Sequence, residues 1–171
     1  IKNGSAGADL IVNGTLHDRQ TTGTKLSFAG SNPNSATWKL GANGTFIKSN
    51  AGAISYAKDK YEGGMSNIPA TANWIYRRNE DGNPRVGSND FFYPNLTFEN
   101  TTTTSYSWDA STTTAFNGTN GITVKGNLNI GTTGTSACHV SNINTQPMLI
   151  LGNTNIATGS SLVNKAATGN V

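Results

Sequence analysis

At 171 residues and 17.9 kDa the chain has the length of one domain, enough to bury a continuous core. Charged residues are only 12 % of it, and a net charge of +3 with 14 spaced aromatics argues against a disordered tract. The 12 Lys and Arg are scattered, with Arg77, Arg78 and Arg85 the one tight group, which excludes a nucleic-acid surface.

Asn (23), Thr (24), Ser (15) and Gly (20) together make almost half of the chain. Thr and the aromatics favour strands, and Asn and Gly supply the turns between them, so the bias points to an all-β protein. All nine acidic residues lie at or before Asp109, and beyond it the only charges are Lys125 and Lys165. That half is kept soluble by Asn, Thr and Ser, which suits an extracellular repeat better than a cytosolic enzyme. The chain begins at Ile1 without Met, as a processed protein or a segment cut from a longer one would. No signal peptide is visible, and no apolar run is long enough to span a membrane.

In chain order, the first recurring phrase is "LIVNGTL" at 10–16. It returns as "ITVKGNLNI" at 122–130 and as "MLILGNTNI" at 148–156. Val124 and Ile150, Gly126 and Gly152, and Ile130 and Ile156 share a spacing of 26. Alternating apolar residues put one face of a strand inward, and the Gly between two such strands marks a bend. Two short strands joined by a bend and recurring every 20 to 30 residues describe one coil of a β-solenoid.

A longer alignment sets 25–54 above 95–124. Leu26, Phe28, Trp38, Phe46 and Ile54 then meet Leu96, Phe98, Trp108, Phe116 and Val124, every pair 70 apart. These residues and Ile150 are the expected core. Residues 56–93 break the pattern: they carry almost half of the charged residues, Trp74 and four of the five Tyr. They read as an insertion protruding from one coil. The Thr runs of 95–130 read as turns or outward faces of two coils, too irregular for an ice-binding ladder. Adjacent Cys138 and His139 point to opposite faces of a strand, so Cys138 reads as structural rather than as part of a metal or thiol site.

The expected fold is therefore an all-β, right-handed parallel β-helix (β-solenoid) over 1–171, a rod of about 30–35 Å, with the insertion at about 56–93. The alternative is an antiparallel β-sandwich, favoured by the Asn-Gly pairs at 3–4, 13–14, 43–44, 117–118 and 120–121, which suit hairpins.

The phrases "NIPATANWIYRR", "FFYPNLTFENTTTTSYSW" and "ITVKGNLNIGTTGT" resemble repeats of very large surface and secreted proteins of Bacteroidota. There an "IPAG" phrase followed by "NLTL" precedes a Thr/Ser/Gly stretch and then "TVNGNLTI". Ile68-Pro69-Ala70 and Tyr93 to Phe98 match the first phrase, although some twenty residues separate the two parts. Ile122 to Ile130 matches the last. The resemblance implies a parallel β-helix, export by the type IX route, and a cell-surface or adhesive role. The family's C-terminal sorting domain is not visible, and the resemblance carries no catalytic residues.

No catalytic, cofactor-binding or metal-binding set emerges. His17 and His139 lie in different repeats with no nucleophile elbow. The acidic residues Asp59, Glu62, Glu80, Asp81 and Asp90 gather in the insertion, and "NEDGN" at 79–83 lacks the spacing of an EF-hand. Six N-x-Ser/Thr sequons begin at Asn3, Asn13, Asn43, Asn95, Asn100 and Asn117, as composition alone would produce. The expected ligand-facing residues are Trp74, Tyr76, Arg77, Arg78 and Arg85, aromatic planes beside cations that suit acidic sugars. The expectation is thus a non-enzymatic structural and adhesive segment of a secreted surface protein. Its partners would be surface glycans, other surface proteins and the secretion machinery, with no nucleic acid and no membrane insertion. The alternative is a carbohydrate-binding or polysaccharide-degrading β-helix.

Overall fold

The apolar–polar alternation folds as short strands, and every strand pairing is parallel. The computed structural model describes residues 10–19, 37–49, 61–79, 84, 86, 91–108, 121–142 and 148–164. They form a β-solenoid, so the sandwich alternative is excluded: Asn13-Gly14 and Asn43-Gly44 are corners between parallel sheets, not hairpin turns.

The chain winds past three faces. The first carries β1 (Leu10–Val12) and β3 (Trp38–Leu40), then Tyr61 bridged to Trp38, then β6 (Phe91–Tyr93), β9 (Ile122–Val124) and β12 (Met148–Ile150). The second is one six-stranded sheet: β2 (Thr15–Asp18), β4 (Thr45–Lys48), β5 (Asn73–Arg78), β7 (Asn95–Asn100), β10 (Leu128–Gly134) and β13 (Thr154–Ile156). The third carries β8 (Tyr106–Trp108), β11 (Cys138–Asn142) and β14 (Ser161–Asn164). Three of the six turns thus have strands on all three faces. A single 3₁₀ turn, Met65–Asn67, is the only helical element among the described residues.

Along the second face, Thr15 pairs with Thr45, Thr45 with Asn73, Asn73 with Asn95, Leu96 with Leu128, and Leu128 with Thr154. Successive turns therefore take 30, 28, 22, 32 and 26 residues. Six rungs give five spacings, about 24 Å at ~4.8 Å each. The expected rod of about 30–35 Å rests on all 171 residues in coils of about two dozen, whereas the described turns run unevenly from 22 to 32 residues.

The 26-residue repeat is the register of the fold: Val124 pairs with Ile150 and Ile130 with Ile156. The 70-residue alignment is not. Trp38 and Trp108 are both fully buried, with Phe46, Leu96, Phe98 and Val124, and Ile150 is half-buried against the core. Yet Trp38 lies on the first face opposite Leu10, and Trp108 on the third opposite Val140. Phe46 shares its column with Trp74 and Leu96. Unequal turns turn an equal spacing in sequence into different positions around the coil. Leu26, Phe28, Ile54 and Phe116 lie outside the described residues.

Within the expected insertion at 56–93, residues 73–78 (β5) belong to the coil itself. β5 pairs on both sides, with β4 and β7, and so forms an ordinary rung. Two inward columns run along the second face. One holds Leu16, Phe46, Trp74, Leu96 and Leu128; the other holds Asp18, Lys48, Tyr76, Phe98, Ile130 and Ile156. Their aromatic rings form a continuous chain: Phe46 to Trp74 at 4.4 Å, Tyr76 stacked on Phe98 at 5.4 Å, and Phe98 edge-on to Trp108 at 5.1 Å. Trp38, 5.5 Å from Phe46, extends it to the first face.

At the corner between the first two faces the coils approach closely. A β-carbon on Gly44 would stand 2.0 Å from the Val12 carbonyl oxygen, and one on Gly152 2.5 Å from that of Gly126. The next residue builds an asparagine ladder. Asn95 Nδ2 donates to the Ala72 carbonyl (3.1 Å) and to Asn73 Oδ1 (3.4 Å). Its Oδ1 accepts the Asn127 N–H at 2.9 Å, and Asn127 Oδ1 accepts the Asn153 N–H at 2.9 Å. The side chains replace backbone bonds that the bend removes.

Two substitutions test this packing. Phe98→Ala should lower unfolding free energy by about 3–5 kcal/mol in denaturant titrations, whereas the outward Thr97→Ala should cost about 0.5 or less. Asn95→Ala strands donors and acceptors on three coils. It should cost about 1–3 kcal/mol, measured the same way, and Asn95→Asp should not restore it, because it lacks the amide donor.

Candidate functional site

Trp74 and Tyr76 are not available to a ligand. Both are 0 % exposed, because the alternation of β5 turns them into the inward columns. Tyr76 spends its hydroxyl on that of Tyr93, 2.8 Å away, and Tyr93 is equally buried. Stacking of these rings on a sugar is therefore excluded. Phe92 is half-buried on the outward side of its strand.

Arg77 and Arg78 do reach the surface, but as braces. Arg77 Nε donates to Glu99 Oε1 one rung away, and Glu99 Oε2 accepts the Thr133 hydroxyl of the following rung at 2.7 Å. Arg78 places its guanidinium 5.3 Å from the centre of the Tyr106 ring and donates to the Asn79 carbonyl. The Arg77–Glu99 pair lets the cation serve three coils, with 29 % of its side chain left to solvent. Arg85, Glu80, Asp81, Asp59 and Asp90 lie outside the described residues. Near them, Pro84 and Val86 are buried, and the Pro84 carbonyl accepts the Trp108 indole N–H at 3.1 Å.

The better concavity lies where the first face is interrupted. In the third turn, Tyr61 takes the place of a strand: its neighbour Glu62 donates its N–H to the Trp38 carbonyl, and its hydroxyl accepts the Leu40 N–H at 3.1 Å. A side chain thus satisfies a backbone donor that no following strand reaches. Burial pushes the Tyr61 phenol up, the Leu40 N–H opposes this, and the nearby Glu62 charge adds to it, so the phenol stays neutral. An open groove of about 390 Å³ forms beside it, lined by Lys39, Gly41, Ala42, Glu62, Asn67 and Pro69. Lys39 Nζ and Glu62 Oε2, both in its lining, pair at 2.8 Å. This volume falls in the small-ligand range of about 300–1,000 Å³. Sequence reasoning missed it, since no local motif announces that a tyrosine will stand in for a strand.

Cys138 is fully buried, while His139 faces outward with Nδ1 2.9 Å from Ser161 Oγ, the opposition expected of neighbours in a strand. His17 makes a similar contact, Nε2 to Ser49 Oγ at 2.9 Å. Among the described residues no three His, Cys, Asp or Glu side chains gather as metal ligands, and no helix is long and apolar enough to cross a membrane. Comparison with protein-family models, curated proteins and solved structures gave no match.

Burial pushes the Cys138 thiol up to about 12. A proton held more tightly in the folded chain adds stability below the unfolded value of 9.0, and that share is lost as pH rises toward 12. Unfolding measured across this window should therefore show a stability loss that Cys138→Ala partly removes. At pH 8 a thiol reagent should label the native chain far more slowly than the denatured one.

Proposed function

We propose that this chain is a non-enzymatic structural and display segment of a secreted cell-surface solenoid. The observation that carries the reading is where the outward polar groups go. Asn155 Nδ2 donates to Asn129 Oδ1 at 2.8 Å, Asn129 Nδ2 to Thr97 Oγ1 at 3.4 Å, and Arg77 and Thr133 both bond Glu99. Such bonds run along the rod axis and hold coil to coil. Residues used in this way stiffen a wall; catalysis would instead ask them to converge on a cleft. The resemblance to Bacteroidota surface repeats supports export by the type IX route, with surface glycans or surface proteins as contacts.

The groove beside Tyr61 favours a second reading, a carbohydrate-binding β-helix. Lys39 and Glu62 offer a donor and an acceptor at its mouth, and a sugar hydroxyl could replace either partner of that exposed pair.

Incubation with a panel of neutral and acidic polysaccharides, with and without calcium, separates these readings. The structural reading expects no release of unsaturated or reducing ends. Release that is lost on changing Asp81 or Arg85 would establish an enzyme. Binding without release, abolished by Glu62→Ala, would establish the sugar-binding reading.

A further inference from the structure

The groove beside Tyr61 holds a strand carbonyl to which no donor comes among the described residues. We infer that it binds an N-acetylated sugar, whose amide N–H serves that oxygen. This rests on the sugar-binding reading of the groove and narrows it to one ligand class.

The groove exists because the chain leaves the first face early. Tyr61 to Gly64 is a type II turn: the Gly64 N–H donates to the Tyr61 carbonyl at 3.0 Å, and Gly63 has a φ of 69°. Residues 62–70 then form no strand beside β3. Both ends of this loop stand on the second coil. The Glu62 N–H donates to the Trp38 carbonyl at 2.9 Å, and the Thr71 hydroxyl to that of Ala42 at 2.6 Å. Its middle is held from the fifth coil, where Lys125 Nζ donates to the carbonyls of Ser66 at 3.1 Å and Ile68 at 2.7 Å. The groove is therefore preformed.

The ladder identifies the oxygen left over. In a parallel strand a residue sends its N–H and C=O to the same side, and alternate residues serve opposite neighbours. Gly41 donates back to the Val12 carbonyl of the first coil, so Trp38, Leu40 and Ala42 serve the third. The carbonyls of Trp38 and Ala42 have the donors just named. The Leu40 N–H goes to the Tyr61 hydroxyl, but among the described residues no donor reaches the Leu40 carbonyl. The last residue of the strand accepts a peptide N–H in other coils: Val12 from Gly41 at 2.9 Å, Tyr93 from Lys125 at 2.8 Å, and Val124 from Leu151 at 2.9 Å. Leu40 lines the groove and is only 2 % exposed, so water serves that oxygen poorly and a donor brought by a ligand has most to gain there.

The remaining groups set the class. Lys39 Nζ has N–H groups beyond its bond to Glu62, while Glu62 Oε1 and Asn67 Oδ1 are acceptors. An acetamido group brings an N–H for Leu40 and a carbonyl for Lys39 in one plane, and its methyl suits the apolar rim at Ala42 and Pro69. Ring hydroxyls then serve Glu62 and Asn67. A peptide strand would have to run through, and the bonds at Trp38 and Ala42 close the groove at both ends. A single ring enters from the open side into about 390 Å³.

Amide spectra of the isotope-labelled chain, titrated with N-acetylglucosamine and N-acetylgalactosamine, test this. At least one should shift the Gly41 signal, because that nitrogen shares a peptide unit with the Leu40 carbonyl. Glucose, galactose and N-acetyl-N-methylglucosamine, which keeps the carbonyl but has no amide N–H, should leave it unmoved. Lys39→Met should weaken binding about tenfold, the effect of one hydrogen bond to a charged group. Ala42→Tyr, at an exposed position, should abolish binding while circular dichroism and the unfolding midpoint stay unchanged. Glucose or the N-methyl sugar binding as well as N-acetylglucosamine would overturn the acetamido inference and leave the sugar-binding reading standing. If no sugar shifts Gly41, both fall. Tighter binding of N-acetylalanine methylamide than of any sugar would overturn both in favour of a peptide contact.

Discussion

The stack depends on the distance of closest approach at one corner. Coils joined by parallel hydrogen bonds lie ~4.8 Å apart, and between the first and second faces the backbone bends while keeping that spacing. Reading the registers back by one or two residues, the corner is occupied by Gly14, Gly44, Ala72, Pro94, Gly126 and Gly152. At Gly44 and Gly152 a carbonyl oxygen of the neighbouring coil stands where a side chain would begin, and at Gly126 the side-chain oxygen of Asn95 does. Once the corner is fixed, the residue two positions later must face inward. That rule places Leu16, Phe46, Trp74, Leu96 and Leu128 in one column, although the turns joining them differ by up to ten residues.

The corner also explains how much of the fold could be read from the sequence. The copies at 122–130 and 148–156 are legible because two adjacent turns share the same corner length, so a fixed offset survives. The 70-residue alignment fails because buried aromatics are frequent enough for an unrelated offset to match several of them. Residues 73–78 were obscured by composition: Arg77 and Arg78 end a strand whose first half is core. The legible signal was the phrase itself, since "NWIYR" (73–77) repeats "NLTFE" (95–99) as Asn, apolar, any, apolar, charge, and the two strands pair residue for residue.

Polar residues were harder to place, because their roles depend on neighbours in the stack. Asn-Gly pairs look alike in a hairpin and at a coil corner; only the adjacent coil decides which N–H the asparagine oxygen accepts. Alternation alone puts Cys138 and His139 on opposite faces, and the stack decides that the thiol is the inward one. No local pattern gave warning of the groove beside Tyr61, which exists because one turn lacks a strand and a phenol completes its hydrogen bonding.

The second inward column changes character along its length. From Tyr76 to Ile156 it is aromatic and aliphatic, but it begins with Asp18 and Lys48, whose charged ends lie 3.5 Å apart. The side chains are 8 % and 1 % exposed, so both charges have given up most of their water. Such a pair contributes little net stability over an apolar pair of similar volume, but removing one partner costs about 3–5 kcal/mol. Its effect is on neighbour choice: an apolar residue in place of Asp18 would leave the ammonium of Lys48 without that carboxylate. The pair therefore fixes which coil lies beneath the second one.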